Sequence, residues 1–258
     1  MNARPRLWAR GHPMSGAWNL TKVELKLFLR DPMAVFFTLL FPLMMLFLFG
    51  SIFGNDPDPD LGGRGSVDVS VPGYIAIVIA TSAIMGLPIN LATYRAGGVL
   101  RRFRATPLRP AAVLGGQVAV GVLGAAASSA LLVVAGRTFF DLRLPERPGI
   151  VLVAILLGAA STFAFGFVVA SVVPDARTAQ SVAMVVFFPM MFLSGAALPR
   201  ALLSETIQDV AQVLPLTHVV TLVDDTWSGA GWNMAAMAVL LGVLVTGVVL
   251  SSRLFRWE

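Results

Sequence analysis

Five arginines and no acidic residue lie in the stretch YRAGGVLRRFRATPLRP, residues 94–110. They are Arg95, Arg101, Arg102, Arg104 and Arg109. Guanidinium groups bind phosphates and carboxylates, so a nucleic acid and an acidic protein surface are both conceivable partners. A nucleic-acid interface would also need an adjoining folded surface and aromatic side chains on which bases stack. The stretch instead lies between two long apolar runs, where membrane topology accounts for its basic residues, and we predict no nucleic-acid partner.

A second set with chemical potential is His218 with Asp224 and Asp225, which could hold a metal ion or carry protons. The three residues share the polar arc of a short predicted helix, so a solvated helical face is the simpler interpretation. The chain has no phosphate-binding loop, no H-E-x-x-H or G-x-S-x-G pattern, and no cysteine. We therefore predict that the chain is not an enzyme and holds no metal or cofactor.

Both sets of residues lie in connections between long apolar runs. The chain is 57% hydrophobic and 13% charged, far from the composition of a soluble domain. Six runs without Lys, Arg, Asp or Glu are long enough to cross a bilayer as helices. They span 33–54, 72–93, 111–136, 148–173, 178–199 and 232–252. We predict one all-α membrane domain over residues 1–258, with six transmembrane helices.

The basic residues predict the orientation, because Lys and Arg in short loops resist translocation. Of the 19 Lys and Arg residues, five lie in the first, third and fifth connections between spans, and the other 14 lie in the remaining loops and the terminal segments. The five are Arg64, Arg137, Arg143, Arg147 and Arg200. Both termini are therefore predicted to be cytoplasmic.

Three short helices are predicted outside the spans. In the cytoplasmic segment 1–31, Lys22, Lys26 and Arg30 share a helical face opposite apolar residues, which favours an interfacial helix. Asp31 followed by Pro32 is typical of a helix start. The connection 200–231 has two stretches of helical spacing separated by Pro215, which predict two short helices at the outer membrane surface.

Polar side chains are few within the spans, and Asn90 and Gln117 are among the most polar of them. Carriers coupled to ion gradients place ionisable residues in the membrane. The predicted spans contain no Lys, Arg, Asp or Glu, which favours an external energy source. Pro42, Pro88 and Pro189 lie inside spans and predict local kinks.

Three stretches resemble the membrane subunit of type-2 ABC exporters, especially drug-resistance permeases of the daunorubicin class. They are LFLRDPMAVFFTLLFP (27–42), GGVLRRFRATPLRPAAVLGGQ (97–117) and FFPMMFLSGAALPRALLSETIQDVAQVLPLTHVV (187–220). Their order and spacing cover nearly the whole chain. The resemblance implies a bacterial inner-membrane protein that works with a separate ATP-binding subunit.

In that family the loop between the second and third spans forms a coupling helix that docks on the ATP-binding subunit. The resemblance therefore assigns the contact to Leu100, Arg101, Arg102, Phe103, Arg104, Thr106 and Pro107. Topology alone accounts for the arginines, whereas a docking face also accounts for apolar Leu100 and Phe103 on the water side. The family's acidic residue before the glycine is Ala96 here, next to Gly97.

The resemblance further implies two copies of this chain, or this chain with a close paralogue, together with two ATP-binding subunits that hold ATP and magnesium. Substrate would pass between the membrane halves. Asn90, Phe187, Phe188 and Met191 are the candidate path residues, since Phe and Met form adaptable apolar surfaces beside Pro189. Lipid-facing or core packing explains the same residues equally well.

The predicted substrate is an amphipathic drug, natural product or lipid. A permease for a lipid-linked polysaccharide has the same architecture and stays open as an alternative. A membrane-embedded enzyme or a scaffold stays open as well. An enzyme would be active alone, whereas an exporter requires its ATP-binding subunit.

Overall fold

The computed structural model describes residues 13–98 and 110–254, with side chains from residue 21 onward, except at 110–114 and 201. Within these residues the chain is helical. The helices are α1 Pro13–Arg30, α2 Pro32–Phe53, α3 Ser66–Ala96, α4 Pro110–Phe140, α5 Pro148–Val172, α6 Ala176–Leu193, α7 Glu205–Ala211, α8 Pro215–Ser228 and α9 Met234–Leu254. Six of them, α2 to α6 and α9, are long and apolar enough to cross a membrane, which confirms the predicted number.

The largest differences from the predicted span boundaries are at the start of α3 and the end of α6. Helix α3 begins at Ser66, six residues before the predicted 72, because Asp68 is buried and hydrogen-bonded and so does not end the helix. Helix α6 ends at Leu193, although the sequence predicted 199. Gly195, at a φ of +85°, has the left-handed conformation that follows many helix ends.

Helix α3 is the centre of the bundle. It packs against α2, α4, α5, α6 and α8. In its most apolar stretch 78% of the residues are buried, against 17–50% in the other five spanning helices. The apolar surface left exposed on the outer helices is the surface that lipid or another subunit would cover.

Two of the three prolines follow π-helical turns. Phe36–Leu40 in α2 and Thr81–Gly86 in α3 have π geometry, and Pro42 and Pro88 come two residues after them. Phe41 and Leu87 donate to carbonyls five residues back, Phe36 and Ser82. Proline lacks the N–H and crowds the carbonyl four residues earlier, and the wider turn relieves that crowding. Pro189, in contrast, lies inside α6.

Helix α8 is inserted into the bundle, although the sequence predicted a helix resting on the membrane surface. Eight of its 14 residues are buried, and it packs against α3, α5 and α9. Buried Thr217 and Thr226 donate to Ala211 O and Leu222 O, so their hydroxyls stay hydrogen-bonded away from water. Helix α7 is short, and of its seven residues Ala211 alone is buried.

The loops predicted to lie outside meet at one end of the bundle. Asp68 Oδ1 accepts hydrogen bonds from Asn55 Nδ2 at 3.2 Å and from the backbone N of Arg143 at 2.8 Å. Arg64 makes a bidentate ion pair with Asp224, at 2.7 and 3.0 Å. Trp227 Nε1 donates to Arg143 O at 3.0 Å. We call this the loop end, and the other the α1 end.

The absence of native cysteine makes the orientation directly testable with single cysteines. Asp58 at the loop end and Arg177 at the α1 end are both exposed. In intact cells, cysteine at Asp58 is expected to react with a membrane-impermeant thiol reagent, because the positive-inside rule places the loop end outside. Cysteine at Arg177 is expected to react only after permeabilisation. The reverse labelling pattern would contradict the orientation.

Candidate functional site

A cavity of about 420 Å³ lies near the α1 end, between α1, α2, α3, α4 and α6. Its walls are mainly apolar, and their apolar members include Leu27, Phe28, Phe37, Met85, Val120 and Met184. Both π turns contribute, through Thr38 of the first and Ser82 and Met85 of the second. An apolar cleft with a few convergent polar groups is the usual form of a small-molecule binding site.

Four polar side chains converge on one wall of this cavity, and we call them the polar cluster: Glu24, Asn90, Tyr94 and Gln117. Tyr94 Oη lies 2.9 and 2.7 Å from the two carboxylate oxygens of Glu24. Gln117 Nε2 donates to Glu24 Oε2 at 2.6 Å. Asn90 Nδ2 donates to Gln117 Oε1 at 3.1 Å. The cluster thus joins α1, α3 and α4.

Glu24 is the most unusual member, because it is a carboxylate that is only 6% exposed. Its burial raises its pKa above the ordinary value, and the hydrogen bonds from Tyr94 and Gln117 oppose that rise. Burying a carboxylate is costly unless its charge is compensated by hydrogen bonds or a counter-charge. The hydrogen bonds from the uncharged side chains of Tyr94 and Gln117 hold α1 against the bundle and keep the carboxylate at the cavity wall.

Neighbouring elements fix the entrance of the cavity. Asp31 caps α2 by accepting hydrogen bonds from the backbone N of Met33 at 3.0 Å and of Ala34 at 3.1 Å, which confirms the predicted helix start. Helix α1 therefore ends, and α2 begins, at a fixed turn beside the cavity. Asn90, Gln180 and Met184 are exposed, so the cavity opens to the surface of the chain.

The candidate path residues occupy different environments. Asn90 lines the cavity. Phe187 and Met191 are each 1% exposed and pack in the core. Phe188 is 37% exposed and follows Met184 by one helical turn, so it continues the face of α6 that reaches the cavity. Of the four, the structure brings Asn90 to the cavity, and the other three line neither described pocket.

The predicted coupling residues Leu100, Arg101, Arg102, Phe103, Arg104, Thr106 and Pro107 lie outside the described residues. The helix that leads into them is described. Near its end, Arg95 donates to Ala170 O at 2.9 Å and Val173 O at 2.8 Å, at the last turn of α5. A guanidinium there satisfies carbonyls that a helix end leaves without intrahelical partners. Arg95 therefore joins the start of segment 99–109 to the α5–α6 connection.

Sequence reasoning missed Glu24, although a signal was present. Lys22, Lys26 and Arg30 mark the basic face of α1, and Glu24 lies away from that face, at helical spacing with Leu27 and Phe28. An acid on the apolar side of an amphipathic helix needs a partner in the fold. Its partners are 70 and 93 residues away in the sequence.

The three residues weighed as a metal or proton site are engaged elsewhere. His218 Nε2 lies 2.8 Å from Gln212 O. Asp224 pairs with Arg64, and Asp225 accepts a hydrogen bond from Asn233 Nδ2 at 2.9 Å. Across the described residues no group of three His, Cys, Asp or Glu side chains is arranged to hold a metal ion.

Two comparisons with known proteins agree with this architecture. The family described as ABC-2 type transporter matches residues 16–226, most of the chain. The daunorubicin resistance ABC transporter permease protein DrrB1 of Streptomyces coeruleorubidus is 24% identical over 234 residues. That alignment covers 86% of this chain and 78% of the relative. With six apolar helices and a match over residues 16–226, this chain belongs to the ABC-2 type transporter family.

Proposed function

We propose that this chain is the membrane-spanning subunit of an ATP-driven exporter and that the cavity at the α1 end receives its substrate. Family membership and the apolar cavity support the proposal. The substrate class is a hydrophobic or amphipathic molecule taken from the cytoplasm or the inner leaflet of a bacterial inner membrane. The drug-resistance name of the Streptomyces relative favours a drug or natural product.

The assembly contains two copies of an ATP-binding subunit and a second copy of this chain or a close paralogue. ATP and magnesium are held by the ATP-binding subunit, and this chain is not catalytic. Both termini lie in the cytoplasm, so segment 99–109 faces that subunit. Leu100 and Phe103 dock on it, and the arginines of the segment pair with acidic groups there.

The contacts of α3 give this arrangement a mechanical basis. A push on segment 99–109 acts on the end of α3, and the same helix lines the cavity from Thr81 to Tyr94. Through Arg95 the push also reaches the last turn of α5 and the connection to α6. Closure of the ATP-binding subunits would then change the cavity through the helix that forms its central wall.

Transport in inverted membrane vesicles tests the proposal. Vesicles that contain this chain and its ATP-binding subunit are expected to accumulate hydrophobic fluorescent compounds when ATP is supplied. Because the energy comes from hydrolysis in the partner, vesicles with either subunit alone are expected to stay at the background level. Accumulation driven by a non-hydrolysable ATP analogue, or by this chain alone, would contradict an ATP-driven exporter.

A further inference from the structure

We propose that the cavity selects an amphipathic cation, with the carboxylate of Glu24 as the counter-charge for its positive group. This inference rests on the proposed function, which makes the cavity a substrate site, and it adds the charge of the substrate. The ligand is a molecule with an apolar body and one ammonium or comparable cationic group.

The charge of the cavity wall is one-sided. Among the described residues that line the cavity, Glu24 and Asp31 are acidic and none is Lys or Arg. The chain as a whole carries a net charge of +5, so the acidic side chains of this wall are opposite in sign to the net charge of the chain. A wall that carries carboxylates and lacks compensating cations attracts a cation and repels an anion.

Glu24 is better suited to this role than Asp31. Among the described residues, the neutral donors Tyr94 Oη and Gln117 Nε2 make its side-chain contacts, so they orient its negative charge without neutralising it. The ion pairs Arg64–Asp224 and Arg143–Asp68 lie at the loop end, whereas Glu24 lies at the opposite end of the bundle. Asp31 Oδ1, in contrast, already accepts two backbone N–H groups at the start of α2.

The rest of the wall fits the apolar body. Phe28 and Leu27 come from the same helix as Glu24, and Met85 and Met184 face them from α3 and α6. Methionine side chains adapt to irregular apolar shapes, and aromatic rings such as Phe28 also attract cations. A buried carboxylate bordered by such surface favours a ligand that supplies charge and apolar area together.

Binding to the purified permease in lipid nanodiscs tests the charge. The probes are an amphipathic fluorescent dye with a permanent quaternary ammonium group and its neutral isostere. The wild-type chain is expected to bind the cation more tightly, and Glu24→Gln is expected to weaken that binding by about tenfold or more. Binding of the neutral isostere is expected to change little.

Glu205→Gln is the matched control, because it removes the same charge from an exposed position on α7, outside the cavity wall. It is expected to bind both probes as the wild-type chain does. If Glu24→Gln weakened the binding of both probes equally, Glu24 would only brace α1, and the inference would be overturned. The wild-type comparison needs no variant, and equal affinity for the two probes would overturn the inference too.

The two proposals fail in different ways. ATP-driven transport of both probes without a preference for the cation would overturn the charge inference and leave the exporter standing. Binding of the cation that depends on Glu24, without transport in vesicles that contain both subunits, would instead overturn the exporter.

Discussion

Aspartate at Phe103 is expected to abolish the association of this chain with its ATP-binding subunit and, with it, export. Phe103 and Leu100 are three residues apart in a basic segment predicted to face water, so they would share one side of the predicted coupling helix. A buried aromatic anchor at a protein interface is worth about 2 kcal/mol or more, and a carboxylate there adds an unpaired charge. Co-purification through a tag on this chain measures the association.

The same substitution at Ala105 is the matched control. Ala105 lies in the same segment, two residues from Phe103, so it would lie on another side of the predicted coupling helix. Ala105→Asp is expected to retain association, because it changes the charge of the segment as much but leaves the apolar face intact. Both variants should reach the membrane at wild-type levels. Normal co-purification and export by Phe103→Asp would refute the docking role.

Gly166→Ala is expected to lower the stability of the permease sharply, even though alanine favours helices over glycine. A Cβ at Gly166 in α5 would collide with the carbonyl oxygen of Ala83 and lie 2.9 Å from its carbonyl carbon. These are backbone atoms of the π turn in α3, so they cannot swing aside as a flexible side chain would. Overpacking at such a contact destabilises by about 1–3 kcal/mol.

Gly242→Ala in α9 is the comparison, since no atom lies within 4 Å of the Cβ that it would add. It is expected to leave stability unchanged or to raise it by up to about 1 kcal/mol through helix propensity. The measurement is the midpoint of thermal unfolding in detergent, together with the yield of folded protein. Equal midpoints for the two variants would mean that α5 and α3 are not in close contact at Gly166.

The parts of the fold that follow from local pattern were predictable. Charge-free runs indicated six spanning helices, and Asp31 followed by Pro32 indicated the start of α2. Pro42 and Pro88 marked two places where the helices deviate from α geometry, whereas Pro189 lies within a continuous α-helix. A proline alone does not reveal how the helix around it is distorted. The π geometry before Pro42 and Pro88 was therefore not predicted. These features depend on a few neighbouring residues.

The features that the sequence did not predict depend on which helices pack against one another. Helical spacing indicates which residues of α8 share a face, but not that α3, α5 and α9 surround it. Asn90 and Gln117 were noticed as polar residues within spans, yet their partner Glu24 belongs to a helix assigned to the membrane surface. For the path residues, the spacing that groups Phe188 with Met191 does not distinguish exposed Phe188 from buried Met191.

The π turn in α3 sets which side of that helix faces the cavity. In an α-helix each residue rotates the chain by about 100°, and a π turn absorbs one additional residue without passing that rotation on. If the same residues formed a regular α-helix through Thr81–Gly86, everything after them would be rotated by that angle. Asn90 and Tyr94 would then leave the cavity wall, and Arg95 would leave the end of α5. Homologues of equal length that keep this cavity should therefore keep the π turn, and those that lack one residue here should have a regular α turn in its place.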